Sequence, residues 1–276
     1  MNYGQALAQA RLIFTNSGVE EPFLEGEILL RHALGIDRAT LFASLNEELT
    51  PVQEELFLQL VERRRLGEPS AYITGHREFF GMDFKVDWRV LIPRPETELL
   101  VERVIDLYRR NKYSTIADIG TGSGCIAISL ARHLNDVHVY AVDISPDALA
   151  VAAQNSVVHN VQDKITFITG NLLEPLNGPV DIIVANLPYV KKADMNLKPE
   201  PELALDGGND GLEKIGDLCW QAPGKINPGG RLLLEIGQGQ AVAVKAIVHN
   251  VFSSGVIDIY KDLSGMDRVV SVRLTS

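Results

Sequence analysis

The sequence predicts an α/β protein in which an open, wound sheet follows a small helical bundle and a connecting β-hairpin. Three observations predict this. Residues 2–67 carry helical periodicity and no strand-like run. Residues 78–86 place bulky β-formers on both sides of Gly81. From residue 115 onward, short apolar runs alternate with glycine turns and helical stretches, the pattern of a largely parallel sheet.

Composition narrows the function classes. The chain has 276 residues with 46% hydrophobic and 22% charged content, enough to bury a core and too apolar for a disordered protein. A formal net charge of −10 argues against a broad electrostatic grip on a nucleic-acid backbone, so no nucleic-acid partner is expected. Cys125 and Cys219 lie far apart with no Cys-x-x-Cys, which fits a reducing compartment and excludes a zinc ribbon. The six histidines form no close metal-binding pair, and no metal is expected. Met1 is followed by polar residues, and no apolar run approaches the roughly 18 residues of a membrane span. A cytoplasmic, soluble, monomeric protein without membrane association is the expectation.

Taken in order, the first helix carries the stripe Leu7, Ala10, Ile13 and Phe14. Pro22 opens a second helix through Glu25, Ile28, Leu29 and His32, which closes near Gly35. Asp37 caps a short third helix through Leu41 and Phe42, and Thr50-Pro51 starts a fourth through Leu56, Leu60 and Val61. This gives four helices and no chemistry, a docking element or a packing support. Arg63, Arg64 and Arg65 end the fourth helix, where cations suit the negative end of the dipole; a binding patch is the sharper alternative. Residues 67–75 have turn formers at both ends, and the hairpin follows. Residues 1–75 are therefore assigned to a helical docking domain, 76–95 to a hairpin connector and 96–276 to the catalytic domain.

The strap Leu91-Ile92-Pro93-Arg94-Pro95-Glu96-Thr97-Glu98 is stiff, because each proline fixes its own φ and restricts the residue before it. Thr97 is expected to cap a helix over 98–110. Such a strap serves as a site wall or as an interdomain tie.

Residues 116–119 form a buried strand, followed by Gly120-Thr121-Gly122-Ser123-Gly124 and an apolar helix over 125–133. Glycines permit a sharp turn and close ligand approach, and the helix start adds exposed N–H donors. A second strand, 137–142, ends at Asp143, nineteen positions beyond Gly124, near the offset at which a carboxylate reaches ribose hydroxyls in a dinucleotide fold. The pair points to an adenosine-containing cofactor and a Rossmann-like sheet. A dinucleotide fingerprint would need a glycine at Cys125, and no P-loop or nucleophile elbow is present.

The Gly-x-Gly-x-Gly spacing, with Asp118 two residues upstream, resembles that of S-adenosylmethionine-dependent methyltransferases. By that resemblance Asp118, Gly120, Thr121, Gly122, Ser123, Gly124 and Asp143 bind the cofactor, a carboxylate at Asp118 suiting the ammonium of its methionine end. A helix from Ser145-Pro146 leads to a third strand, 165–169, after which Asn171 and Leu172 are placed at the adenine. A fourth strand, 180–185, delivers Asn186-Leu187-Pro188-Tyr189 to the crevice at the strand ends, where open α/β sheets bind ligands. On its own this tetrapeptide also reads as an ordinary turn.

Beside a methyl donor it resembles the Asn-Pro-Pro-Tyr signature of methyltransferases acting on an NH₂ attached to an sp² carbon. By resemblance, Asn186, Leu187, Pro188 and Tyr189 are catalytic and substrate-binding, and Asn186 also borders the cofactor. The run from Arg63 through Gly67, Pro69, Ala71-Tyr72-Ile73, Gly75, Phe79, Gly81, Phe84 and Val86 to the strap 91–98 resembles the bacterial release-factor glutamine methyltransferases, the PrmC/HemK family. Glu200-Pro201, Leu205 and Asp206-Gly207-Gly208, with Asp210-Gly211-Leu212, extend the likeness over nearly the whole chain.

The resemblance implies methyl transfer from S-adenosyl-L-methionine, leaving S-adenosyl-L-homocysteine. The acceptor is the N5 amide of the glutamine in the Gly-Gly-Gln motif of class 1 peptide chain release factors, with Leu91 beside that glutamine. It also implies a seven-stranded methyltransferase sheet with a reversed last strand. Leu187 stands where the family typically has proline, and Asn-Leu-Pro-Tyr also occurs in rRNA dimethyladenosine transferases. An RNA or DNA amino-methyltransferase, a methyltransferase of another translation protein, and a non-catalytic partner of translation therefore stay open. The glycine-rich 206–211 segment lacks EF-hand spacing and reads as a turn. The remainder predicts a helix over 212–225, a turn at 227–230, a strand over 231–236, a helix over 240–250, and strands over 256–261 and 268–274.

Overall fold

The computed structural model describes residues 1–195 and 199–274, in two compact units, Met1–His76 and Arg77–Ser276. The first unit is helical: α1 (Tyr3–Asn16), α2 (Pro22–Leu34), α3 (Arg38–Ala43), α4 (Pro51–Arg65) and α5 (Ser70–Thr74). Local chemistry starts each of the long helices. Asn2 with Gln5, and Thr50 with Gln53, form reciprocal capping boxes, and Pro22 and Pro51 occupy first-turn positions. Phe14, Leu29, Leu30, Leu41 and Phe57 are fully buried, each contributing about 1.5–3 kcal/mol of apolar burial. The helix α5 is a departure from the four expected. Pro69 at its N-cap and left-handed Gly75 at its C-cap are the residues that read as turn formers. The three arginines of α4 are all paired: Arg63 with Glu68, Arg64 with Glu25, and Arg65 with Glu62, each at 2.6 Å.

The second unit begins within the hairpin of β1 (His76–Phe79) and β2 (Met82–Lys85), whose turn residues Phe80 and Gly81 both have positive φ, as a tight hairpin requires. It continues with α6 (Glu98–Arg110), β3 (Thr115–Ile119), α7 (Cys125–His133), β4 (His138–Asp143), α8 (Pro146–Val158), β5 (Ile165–Thr169) and β6 (Val180–Ala185). Then follow α9 (Glu213–Gln221), β7 (Ile226–Glu235), α10 (Ala241–Val251), β8 (Val256–Lys261) and β9 (Asp267–Arg273). Among the described residues the main sheet has seven strands in the order β5-β4-β3-β6-β7-β9-β8. Pairings from β5 through β7 are parallel, and β9 runs antiparallel to both of its neighbours, so the reversed last strand is present.

Side-chain alternation splits the core across the sheet. Ala117, Ile119, Ile183 and Leu232 pack with α9 and α10, while Ile116, Val139, Ile182 and Leu233 pack with α6 and α7. The chain moves outward from β3 to β5 and returns to the other side of β3 with β6. That reversal opens a crevice at the carboxyl ends of the central strands.

Three expectations are corrected. Residues 227–230 are not a turn before the strand but part of β7: they bulge where the register steps from Val180↔Ile226 to Ile182↔Arg231, with Gly229 at φ +75°. The helix α9 stops at Gln221 because Pro223 cannot continue it. Thr97 lies in a 3₁₀ turn (Pro95–Thr97) and makes no capping bond to α6; its hydroxyl is used elsewhere.

Candidate active site

The glycine turn after β3 is shaped by backbone geometry. Gly120, Gly122 and Gly124 have φ of +72°, +56° and +81°, and the amides of Gly120 and Thr121 donate to Val142 O at 2.8 and 3.0 Å. A Cβ on Gly124 would lie 2.9 Å from Ile128 Cδ1 and 3.0 Å from Ala152 Cβ, so the turn presses against α7 and α8 in a way only glycine permits. Asn155 holds the outside of this turn. Its Nδ2 donates to Ser123 O at 2.9 Å and to Lys85 O at 3.0 Å, and its Oδ1 accepts from Lys85 N, which ties β2 to the glycine turn.

Gly120 and Gly122 line a cavity, and Asp143 faces it. The Asp143 carboxylate accepts the Gly122 and Ser145 amides, both at 2.9 Å. Burial pushes its pKa upward, and these amides, with that of Ile144, oppose the shift by favouring the ionised form. Asn171 and Leu172 form the next part of the wall. The Asn171 Nδ2 donates to Glu174 Oε1 at 2.8 Å, which leaves the amide oxygen for a ligand. Leu172 has φ +52°, a conformation that costs an L side chain energy.

The end of β6 completes the wall with Asn186, Leu187 and Pro188, and Leu91 of the strap faces the same space. Asn186 Nδ2 donates to Thr97 Oγ1 at 2.9 Å. Leu187 is buried, and a Cβ on Gly120 would lie 3.2 Å from its Cδ2, so the side chain sits on the first glycine of the turn. The strap is fixed by Glu200, which accepts Ile92 N at 3.2 Å and Arg94 Nη2 at 2.6 Å.

Five predicted residues stand behind the wall rather than in it. Asp118, Thr121 and Ser123 are buried; the Asp118 Oδ2 accepts Thr121 Oγ1 at 2.6 Å and Ala127 N at 3.1 Å, while Oδ1 has no partner among the described residues. Burial pushes the Asp118 carboxyl up to about 7 against the opposing pull of those two bonds. In this arrangement Asp118 braces the turn from inside. Gly124 starts α7. Tyr189 points its hydroxyl at Glu235 Oε1, 3.3 Å away, and burial, with the Glu235 charge, pushes its pKa up to about 12.

Sequence reading missed the residues that support the tetrapeptide. Gln240 Nε2 donates to Tyr189 O at 3.2 Å and to Gly211 O at 3.1 Å. Gly207 N donates to Val190 O at 2.9 Å, and any Cβ at Gly207 would collide with Pro188 O and Tyr189 Cα, which explains the glycine-rich 206–211 segment. Arg89 and Lys214 put two cations on the cavity wall. Glu235 had one visible signal, a lone carboxylate in the apolar run Leu232-Leu233-Leu234-Glu235-Ile236.

Two family models match the chain: the PrmC N-terminal domain over residues 5–75 and the methyltransferase small domain over residues 95–222. The chain is 44% identical over 274 residues to a release factor glutamine methyltransferase of Moorella thermoacetica, covering 97% of each. It is 40% identical to one of Geobacter sulfurreducens, covering 98% of this chain and 96% of that protein. A solved methyltransferase from Pyrococcus furiosus, 17% identical, superposes with a TM-score of 0.54 over 72% of this chain and 91% of its own, a likeness of fold. Among the described residues no helix is long and apolar enough to cross a membrane.

Proposed function

The chain belongs to the release factor glutamine methyltransferase family, and from that premise we infer how its own cavity serves the reaction. The enzyme transfers a methyl group from S-adenosylmethionine to the side-chain amide nitrogen of a release-factor glutamine. One observation carries the reading of the site: Gly120, Gly122 and Asp143 face the same cavity as Asn186, Leu187 and Pro188, so a donor half and an acceptor half meet in one space.

The donor half fits the cofactor. Gly120 and Gly122 leave the wall bare where a side chain would intrude, Asp143 keeps lone pairs for a ribose diol, and the Asn171 oxygen suits an adenine amino group with Leu172 against the ring. When bound, the cofactor supplies an electrophilic methyl on a sulfonium.

On the acceptor side, an amide nitrogen is a poor nucleophile because its lone pair is shared with the carbonyl. The Asn186 side-chain oxygen and the Leu187 main-chain carbonyl accept its two N–H bonds, which fixes the nitrogen and favours localisation of its lone pair. Positioning and electrostatics then carry the rate, with the proton lost afterwards to solvent and no dedicated base required. Leu91 and Pro188 confine the flat amide. The helical unit serves to dock the release factor, and the protein works as a monomer in the cytoplasm.

Labelled S-adenosylmethionine, offered with a class 1 release factor, its glutamine-to-alanine variant or ribosomal RNA, tests the substrate. Label is expected on the unaltered factor alone. Label on the RNA, or equally on the alanine variant, removes this reading.

A further inference from the structure

Of the two cations on the cavity wall, Arg89 is already committed: its Nε and Nη2 donate to the Asp87 carboxylate at 2.8 and 2.6 Å. Lys214 has no hydrogen-bond or ion-pair partner among the described residues. We propose that Lys214 is a specificity-determining residue whose ammonium donates to a main-chain carbonyl of the protein substrate, beside the target glutamine. This rests on the glutamine-methyltransferase reading above.

The position of Lys214 runs against local electrostatics. It is the second residue of α9, in the first turn, where the helix dipole is positive and a cation is unfavourable. The first turns of α2, α4, α6 and α8 carry Glu25, Glu54, Glu98 and Asp147 and no cation. Arg38, in the first turn of the short α3, is offset by the buried Glu27 carboxylate at 2.9 Å. Glu213 gives Lys214 no such relief, because its carboxylate accepts Asn209 N at 2.9 Å. A half-buried, unpaired cation that breaks a local rule on the wall of a reaction cavity marks a ligand contact.

The segment that carries Lys214 is built into the acceptor half. Glu200 ties its start to the strap at Ile92 N and Arg94 Nη2. Val190 N donates to Leu205 O at 3.1 Å and Gly207 N to Val190 O at 2.9 Å, while Gln240 bridges Gly211 O and Tyr189 O. Glu213 N then donates to Gly207 O at 3.1 Å, and α9 begins. Pro201 and the exposed Leu203 of this segment line the same wall as Lys214.

Chemistry selects the acceptor. A polypeptide brings main-chain carbonyls past the cavity whatever its side chains, and an ammonium has three donors and no acceptor. The glutamine's own amide oxygen is the wrong partner: a bond to it draws the nitrogen lone pair further into the carbonyl, and the nitrogen attacks less readily. A main-chain carbonyl takes the same bond and leaves the reacting amide untouched. Pro201 and Leu203 displace competing water from that bond and strengthen it.

The test pairs kinetics with binding. Lys214→Met keeps the side chain's reach and removes its donors and charge, and Lys214→Arg keeps both. With the release factor as varied substrate, Lys214→Met is expected to raise KM about tenfold or more while kcat stays within about threefold, and Lys214→Arg to recover most of the loss. S-adenosylhomocysteine affinity by calorimetry should not change, and the melting temperature of Lys214→Met should hold or rise, because a cation leaves the first turn. The glutamine-to-alanine release factor, titrated against enzyme saturated with S-adenosylhomocysteine, should bind Lys214→Met about tenfold more weakly than wild type, because its main chain is intact. An unchanged KM in Lys214→Met, an arginine no better than methionine, or a lower melting temperature overturns the proposal. So does a loss of S-adenosylhomocysteine affinity, which makes Lys214 a cofactor ligand, or an alanine variant that binds both enzymes alike, which puts Lys214 on the glutamine side chain. Wild-type enzyme that leaves the release factor unlabelled removes the reading above and this inference with it; normal labelling with any of these results removes this inference alone.

Discussion

The two halves of the cavity are built by different means. The donor half is the more local: Thr121 bonds Asp118 three residues back, Ser145 bonds Asp143 two residues back, Gly122 reaches Asp143 across 21 residues, and Asn155 reaches Ser123 across 32. The acceptor half is assembled across the fold: Asn186 to Thr97 spans 89 residues, Tyr189 to Glu235 spans 46, and Ile92 to Glu200 spans 108. A binding site made from consecutive strand–turn–helix units can be specified by short motifs at fixed spacing. A clamp that must grip a poorly nucleophilic amide needs side chains locked from several elements, and those arrive only with the tertiary fold.

If the halves are separable, damage to one should spare the other. The largest expected effect is Asn186→Ala, a fall in turnover of about a hundredfold, the scale seen when one positioned transition-state contact is lost. Affinity for S-adenosylhomocysteine, measured by calorimetry, should stay nearly intact. An equal loss of that affinity would make Asn186 a cofactor ligand first and break the division. The converse is Asp143→Ala. Losing hydrogen bonds to a charged group costs about 1.5–3 kcal/mol, so cofactor affinity should drop about tenfold to a hundredfold. Turnover at saturating cofactor should change little; a matching fall in that turnover would show the acceptor half leaning on Asp143.

The same contrast explains what was legible in advance. Strands β5 and β6, helix α7 and β8 lie where periodicity put them, because each is a short apolar segment bounded by turn residues. The glycine turn and Asp143 were legible because φ > 0 and ribose recognition demand particular residues at a fixed spacing. Thr97 was read as a cap because threonine before a helix usually caps it, and the competing partner 89 residues away leaves no local trace. Glu235 and Gln240 escaped for the same reason. Asp118 was seen as important from its place before the turn, but which side of the turn it serves is a matter of burial, which spacing cannot report.

Asp118 gives the next prediction, and it concerns stability. Its folded-state pKa, about 7, lies above the ordinary value of 3.8, so between about pH 4 and pH 7 the folded protein holds a proton that the unfolded chain has released. Stability from this group is therefore highest at the acid end, declines as pH rises through the window and is level above it. Glu235 contributes in the same direction and window. In Asp118→Asn that share of the slope is absent. Melting temperatures taken from about pH 5 to about pH 8 should converge toward, or cross in favour of, the variant by a few degrees at the alkaline end. Parallel curves would mean that Asp118 titrates in the fold much as it does in the unfolded chain.

The smallest expected effect falls where the halves touch, at Leu187. Replacing it with proline keeps the carbonyl that the clamp uses, and no hydrogen bond from the Leu187 amide is seen among the described residues, so no donor is lost. Proline also holds Asn186 in an extended conformation, which suits a residue leaving a strand. Against this, the leucine methyl groups that sit on Gly120 are removed, at a cost of about 1 kcal/mol. A stiffer unfolded chain offsets about 0.4–1 kcal/mol of it. The melting temperature should therefore barely move, and turnover should stay within about threefold if the carbonyl alone performs the chemistry. A fall of more than about tenfold, accompanied by weaker cofactor binding, would carry a different meaning. The leucine side chain would then transmit the position of Gly120 to Asn186, and the local donor turn and the dispersed acceptor clamp would work as one device joined at that contact.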